Sequence, residues 1–275
     1  MKIISQLLII SVLTSTLFLN AQNKELENST LYNVHSKKTF LEFSIGFSKA
    51  SFSDFATSPL VYRGNPLNLM LAHTDVDTQR LSRFGVNYAF GNFSNDFNNQ
   101  NSVSQFKSLI LSYAELYAIG FLNSNRLNIK IGPHLNTSAN FRENEQLFNG
   151  SKGIEIIGTL FGSINATFII NKNSLPIKEL FFNADIGLIN SAFRNGYAYV
   201  GQGAVLNNDD FFDGYQFSVF SGARFSTQLG YTSHLKNHNS IRISYLWDAY
   251  RTSNDINNFQ MAYHTLRLTF LFNLK

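Results

Sequence analysis

The last seventeen residues, FQMAYHTLRLTFLFNLK, set the rhythm of the chain. Leu266, Leu268, Phe270, Phe272 and Leu274 fall on one face of an extended strand, and Arg267, Thr269, Leu271 and Asn273 on the other. The same period of two recurs upstream. Leu41, Phe43, Ile45 and Phe47 oppose Phe40, Glu42, Ser44 and Gly46, and Phe84, Val86, Tyr88 and Phe90 oppose Gly85, Asn87 and Ala89. Further alternating segments begin near Leu67, Leu109, Leu127, Gly153, Glu179, Tyr215 and Ile241, which makes ten predicted strands. Glu115 interrupts one of them, because it shares the apolar parity of Tyr113 and Tyr117; a membrane-edge position or a bulge would accommodate it.

Connections of two lengths separate the strands. Residues 49–66, 92–105, 139–152 and 190–214 are rich in Asn, Ser and Gly and read as long loops, whereas those near 75–79, 123–126, 171–176 and 235–240 are short turns. A strand count of twelve follows if Leu60–Arg63 and Tyr197–Leu206 contribute strands of their own. One oily face, one mixed face and alternating loop lengths predict an all-β fold, an antiparallel up-and-down transmembrane β-barrel closed so that no sheet edge meets lipid. Long loops then lie outside the cell, with both termini on the periplasmic side. A secreted soluble sandwich is the structural alternative.

Composition bears on location. Lys2 followed by the apolar run Ile3–Leu19 and by Asn20–Ala21 predicts an export signal over residues 1–21, a periplasmic lead-in over 22–38 and the barrel over 39–275. The 27 Phe and 12 Tyr suit many short strands with an aromatic outer surface. No Cys is present, which excludes disulfides, thiolate metal sites and an N-terminal lipidated cysteine. A net charge of +4 without a basic cluster gives no reason to expect nucleic acid.

The inward parity collects Glu42, Lys130, Glu155, Glu179, Asp185, Arg224, Arg242, Asp248 and Arg267, both signs together. In a narrow barrel these groups pair across the lumen, since an unpaired buried charge is costly. Tyr215, Tyr231, Tyr245, Trp247 and Tyr263 lie near predicted strand ends and are expected to form interfacial girdles. For hydrolytic chemistry the candidates are His134 with Ser112 or Ser163 from another strand. Ser138 shares the parity of His134 but sits four residues along the strand, roughly 13 Å away. The pair His234 and His238 lacks a third ligand, the acids Asp209, Asp210 and Asp213 define no cage, and no nucleotide-binding glycine motif occurs in strand-to-helix context, so neither metal nor cofactor is expected.

The exported, cysteine-free chain with its LRLTFLFNLK terminus resembles the small outer-membrane β-barrel proteins of Gram-negative bacteria, and its Asn-rich, Lys-ending style is similar to members from Bacteroidota. Lys275 departs from the aromatic last residue common in that class, with Phe272 three positions upstream. The resemblance implies residence in the cell outer membrane, with outer-membrane lipids and an envelope protein as partners, and transfers no catalytic residue. A structural, surface-binding or accessory role is the leading expectation, and non-enzymatic; a membrane-embedded lipid hydrolase and a narrow solute channel are the alternatives.

Overall fold

The computed structural model describes residues 37–95, 102–124, 126–147, 152–171, 177–195, 215–253 and 258–274. The predicted signal, nearly all of the lead-in and the Tyr197–Leu206 segment lie outside them. The strands are β1 (Lys38–Asp54), β2 (Ser58–Gly64), β3 (Leu67–Val76), β4 (Arg80–Asn95), β5 (Ser102–Ala118), β6 (Leu127–Glu143), β7 (Lys152–Asn171), β8 (Lys178–Asn195), β9 (Tyr215–Val219), β10 (Ala223–His234), β11 (Ser240–Arg251) and β12 (Phe259–Asn273).

Every pairing is antiparallel, and the ladder closes: β1 pairs with β3, the order then runs through β4, β5, β6, β7, β8, β10, β11 and β12, and β12 returns to β1 over fifteen residue pairs from Phe40↔Asn273 to Asp54↔Phe259. Ten positions close the barrel, and the two extra strands lie above shorter neighbours. β2 sits on top of β3, pairing with β1 at residues 50–54 and with Ser94 and Phe93 of β4, whereas β3 pairs with β1 at residues 38–47. β9 likewise caps β10 alongside β8. The interruption between β9 and β10 has a local cause. Phe220 and Gly222 both take positive φ (58° and 77°), and a Cβ on Gly222 would stand 1.7 Å from the Arg251 carbonyl oxygen, so only glycine fits this corner.

Strand runs into each of the segments predicted as long loops. β1 runs to Asp54 and turns tightly into β2, β4 and β5 extend to Asn95 and from Ser102, β6 reaches Glu143, and β8 reaches Asn195. The reason is an inversion of the alternation. Up to Phe47, β1 is apolar outside; beyond it Lys49 and Ser51 face out, while Ala50 and Phe52 are buried inside. In β12, Leu266 and Leu268 are exposed, but Met261 and Tyr263 point inward past Gln260 and His264. One half of the barrel is therefore oily outside and polar inside, and the other half is built like a soluble β protein. β1, with 17 residues, exceeds the roughly 9–11 needed to cross a bilayer.

Two irregularities decide which side chains reach the interior. In β8 the register with β7 slips between Ile189 and Gly187, so Leu188 and Ile189 are both exposed and the parity reverses, which turns Asn190, Ala192 and Arg194 into the lumen. At Glu115 there is no slip: β5 stays in register with β4 through Ser82↔Glu115. The side chain remains on the outward parity, where Arg80 and the Tyr113 hydroxyl, which donates at 2.8 Å, cover and neutralise it.

Candidate functional site in the barrel interior

Three tiers of side chains fill the barrel. In the tier nearest the termini, Glu42 of β1 is the shared acceptor. Thr74 of β3 donates to it at 2.8 Å, Arg83 of β4 donates at 2.8 Å, and Arg242 of β11 lies 3.8 Å away. Arg242 also donates to Thr232 at 2.9 Å and stacks 4.5 Å above the Phe181 ring. Arg267 is buried beside them, its guanidinium 3.3 Å from the Met70 sulfur. Lys130 is buried against Asn128, and His234 lies 3.0 Å from Glu179 while its other ring nitrogen bonds Ser240 at 2.7 Å. A carboxylate that orders several cations makes each hydrogen bond to it consequential. Replacing Thr74 by Val is expected to cost about 2 kcal/mol in urea unfolding of the micelle-bound barrel; an unchanged midpoint would show that Glu42 does not need this donor.

In the middle tier Arg224 of β10 clasps Asp248 of β11 with two bonds of 3.1 and 2.7 Å, and its remaining arm donates to Asn136 at 3.0 Å. His134 lies on the Phe161 ring with its Nδ1 3.4 Å from Asp185 Oδ1. Ser163, in register with both Gly132 and Asp185, is buried close by, yet among the described residues its hydroxyl makes no hydrogen bond. Ser112 instead donates to the Gly85 carbonyl at 3.4 Å. The geometry thus brings His134 to a carboxylate but hands neither serine to it, and nucleophilic activation requires that hydrogen bond.

Of the upper tier, only Glu155 was anticipated from the sequence. Asp54 accepts from Arg142 at 2.6 Å and from Arg194, which come from three different strands, and Glu155 accepts from Arg142 and lies 3.9 Å from Arg194. Two acids and two arginines form a neutral quartet, all buried. Aromatic rings wall it in: Arg142 stands 5.1 Å from the Phe52 ring and 4.9 Å from that of Phe259. Phe52 stacks on Tyr62, Phe93 packs edge-on to Phe106, and Asn140 joins the layer by donating to the Tyr250 hydroxyl at 2.7 Å. Beside Arg142 a void of about 10 Å³, bordered by Tyr62, Ser104 and Asn144, has room for about one water.

All nine side chains assigned to the interior from the sequence point inward, from Glu42 and Glu155, at most 1% exposed, to half-buried Glu179, Asp185 and Arg242. What periodicity passed over was Asp54, Arg83, Arg142 and Arg194. Three of those lie where loops were expected, and the available signal was the inverted alternation itself. The aromatic girdle needs one correction. Tyr245 is exposed on the outer wall and bonds His264 at 2.6 Å, and Trp247 and Tyr231 are outward and half-buried, but Tyr263 sits inside the upper core at 6% exposure. Its odd number places it with Arg267 on the inward parity of β12, so nearness to a strand end did not decide its side. Tyr215, at the start of β9, accepts a hydrogen bond from the Ile154 backbone at 3.1 Å.

A closed antiparallel barrel with an apolar outer belt and a polar, charge-paired interior defines the outer-membrane β-barrel class of fold. Comparison with solved structures agrees. The chain is similar to the outer membrane protease OmpT from Escherichia coli, with 7% identity over 88% of this chain and 99% of that one and a TM-score of 0.57. Weaker likenesses include the translocator domain of autotransporter NalP from Neisseria meningitidis, with 5% identity, 98% and 96% coverage and a TM-score of 0.37. Another is Ail, the attachment invasion locus protein of Yersinia pestis, with 11% identity, 86% and 100% coverage and a TM-score of 0.25. No family model and no curated protein matches the chain. The likeness to OmpT, at 7% identity, speaks to fold alone.

Proposed function

We propose that this protein is an outer-membrane barrel whose lumen is a structural core and whose work is done on its outer surface. Its belt half crosses the bilayer with both termini periplasmic, and its upper half projects outside to bind a surface partner or to dock within an envelope assembly. The observation that carries this reading is the filling of the lumen. Phe52, Phe93, Phe106, Phe161 and Phe259 are at most 3% exposed, and the buried quartet of Asp54, Glu155, Arg142 and Arg194 lies among them. A conducting pore needs a continuous wet path, and ion-paired arginines wedged between aromatic rings oppose one. The upper half supports the surface role. Strand residues beyond the belt, such as Lys49–Asp54 of β1, rise about 15 Å once strand tilt is allowed for, enough to hold the rim clear of the bilayer.

Two measurements test the reading. Reconstituted into planar bilayers, the barrel is expected to give no stable conductance steps at 100 mV, where a porin control does; reproducible unit steps from the purified protein would return the channel alternative to first place. Gentle detergent extraction from native membranes is then expected to recover a stoichiometric partner. Recovery of the barrel alone, while a control envelope complex survives the same extraction, would count against the accessory role.

A further inference from the structure

The outer wall formed by β11, β12, β1 and β2 differs from the lumen in its charge. Every carboxylate that these four strands supply, Glu42, Asp54 and Asp248, is buried inside. Their outward positions carry Lys49, Arg63 and Arg251, all exposed, together with exposed His264. Among the described residues none of these three cations lies within 4 Å of a carboxylate, whereas the inward Arg83, Arg142, Arg194, Arg224 and Arg242 all do. The register brings the cations together. Lys49 is directly opposite His264, which is opposite Trp247, and one step higher Ser51 is opposite Arg63. Lys49 and Arg63 are therefore diagonal neighbours on adjacent strands, roughly 7 Å apart at their Cβ atoms. Immediately below them begins the apolar belt, with Phe47 at 67% exposure and Leu266 at 58%.

We infer that this wall binds a phosphate-bearing lipid of the surrounding leaflet. Its phosphate sits between Lys49 and Arg63, and its acyl chains lie along Phe47 and Leu266. Charge complementarity selects the ligand. A lysine and an arginine without acidic partners, placed where hydrocarbon gives way to headgroups, meet phosphate oxygens at short range. The Trp247, Tyr245 and His264 cluster beside them supplies the amphipathic rings favoured at that depth; the Tyr245 and His264 side chains are joined by a 2.6 Å hydrogen bond and the Trp247 and His264 ring centroids are 6.5 Å apart. The inference rests on the proposed membrane placement of the belt.

The test is native mass spectrometry of the full barrel in neutral detergent, titrated with phosphatidylglycerol, with a neutral glycolipid and with inorganic phosphate. The unaltered protein is expected to retain phosphatidylglycerol in preference to the neutral glycolipid, and less so as salt rises. Lys49→Gln combined with Arg63→Gln is expected to weaken that retention roughly tenfold or more. Lys236→Gln, on the far turn, should leave it unchanged. Equal retention by the double variant, equal retention of the neutral glycolipid, or displacement by equimolar inorganic phosphate would each overturn the inference. Flotation with lipid vesicles separates the two readings: a barrel that does not float refutes the membrane placement, whereas one that floats but ignores Lys49 and Arg63 refutes only the lipid site.

Discussion

Asp54→Asn is expected to destabilise the barrel by about 3 to 5 kcal/mol, read as a lower urea midpoint and a lower temperature of conversion to the unfolded band on gels. Asp54 is 1% exposed and bonds Arg142 at 2.6 Å and Arg194 besides. Its two oxygens also accept from the Ala56 backbone and the Thr57 hydroxyl, both at 3.0 Å, so the same carboxylate shapes the turn into β2. With Asp54 in place, two negative and two positive groups balance; without its charge, Glu155 alone faces two buried guanidinia. Water cannot easily relieve the imbalance, because Phe52 and Phe259 cover the site and the neighbouring void takes about one molecule. Asparagine preserves size but offers one acceptor oxygen where the carboxylate offers two, so the loss reports the missing charge together with the hydrogen bonds its amide nitrogen cannot accept. A loss below about 1 kcal/mol would place the quartet in the class of solvent-screened surface pairs.

Gly132→Ala is expected to cost roughly 3 kcal/mol or to abolish recovery of folded barrel, although it adds one methyl group. The added carbon would stand 2.1 Å from the Glu115 carbonyl oxygen and 3.0 Å from the Leu116 Cα, both backbone atoms of the adjoining strand. No rotamer change removes a clash with backbone. The strands are also held close on either side, because β6 pairs with β5 at His134 and Ile131, flanking the glycine, and with β7 at Ser163. Gly120, in the nearby turn, is the comparison, since a Cβ there would meet nothing within 4 Å. Gly120→Ala is expected to leave refolding yield and urea midpoint unchanged. Equal behaviour of the two variants would mean that β5 and β6 have room to separate.

The belt half of the barrel was legible because its chemistry is two-sided. Leu266, Leu268, Phe270 and Phe272 against Arg267 and Thr269 leave one assignment of faces in a lipid environment, and Glu42, Arg224 and Asp248 inherit theirs from neighbours on the same strand. The upper half was less legible because its polarity reverses. A segment such as Lys49 to Asp54, polar at every second position and soon followed by the Ser58-Pro59 pair, has the composition of a loop until the rings that pack on Phe52, those of Tyr62, Phe93 and Phe259, are known. Arg194 was hidden more deeply still, since the slip at Leu188 reverses the parity by which its side would be inferred.

Local alternation needs only the period of the strand and the oiliness of its surroundings, so strand identity, the outward belt and the membership of the inner face follow from neighbours a few residues apart. Which charge meets which is another matter. Asp54, Arg142 and Arg194 are separated by 88 and 140 positions in the chain, and only the closure of the barrel, the bulge in β8 and the capping of β3 by β2 bring them within hydrogen-bond reach. Registers of that kind depend on long-range pairing energy summed around the ring, to which no short stretch of sequence has access.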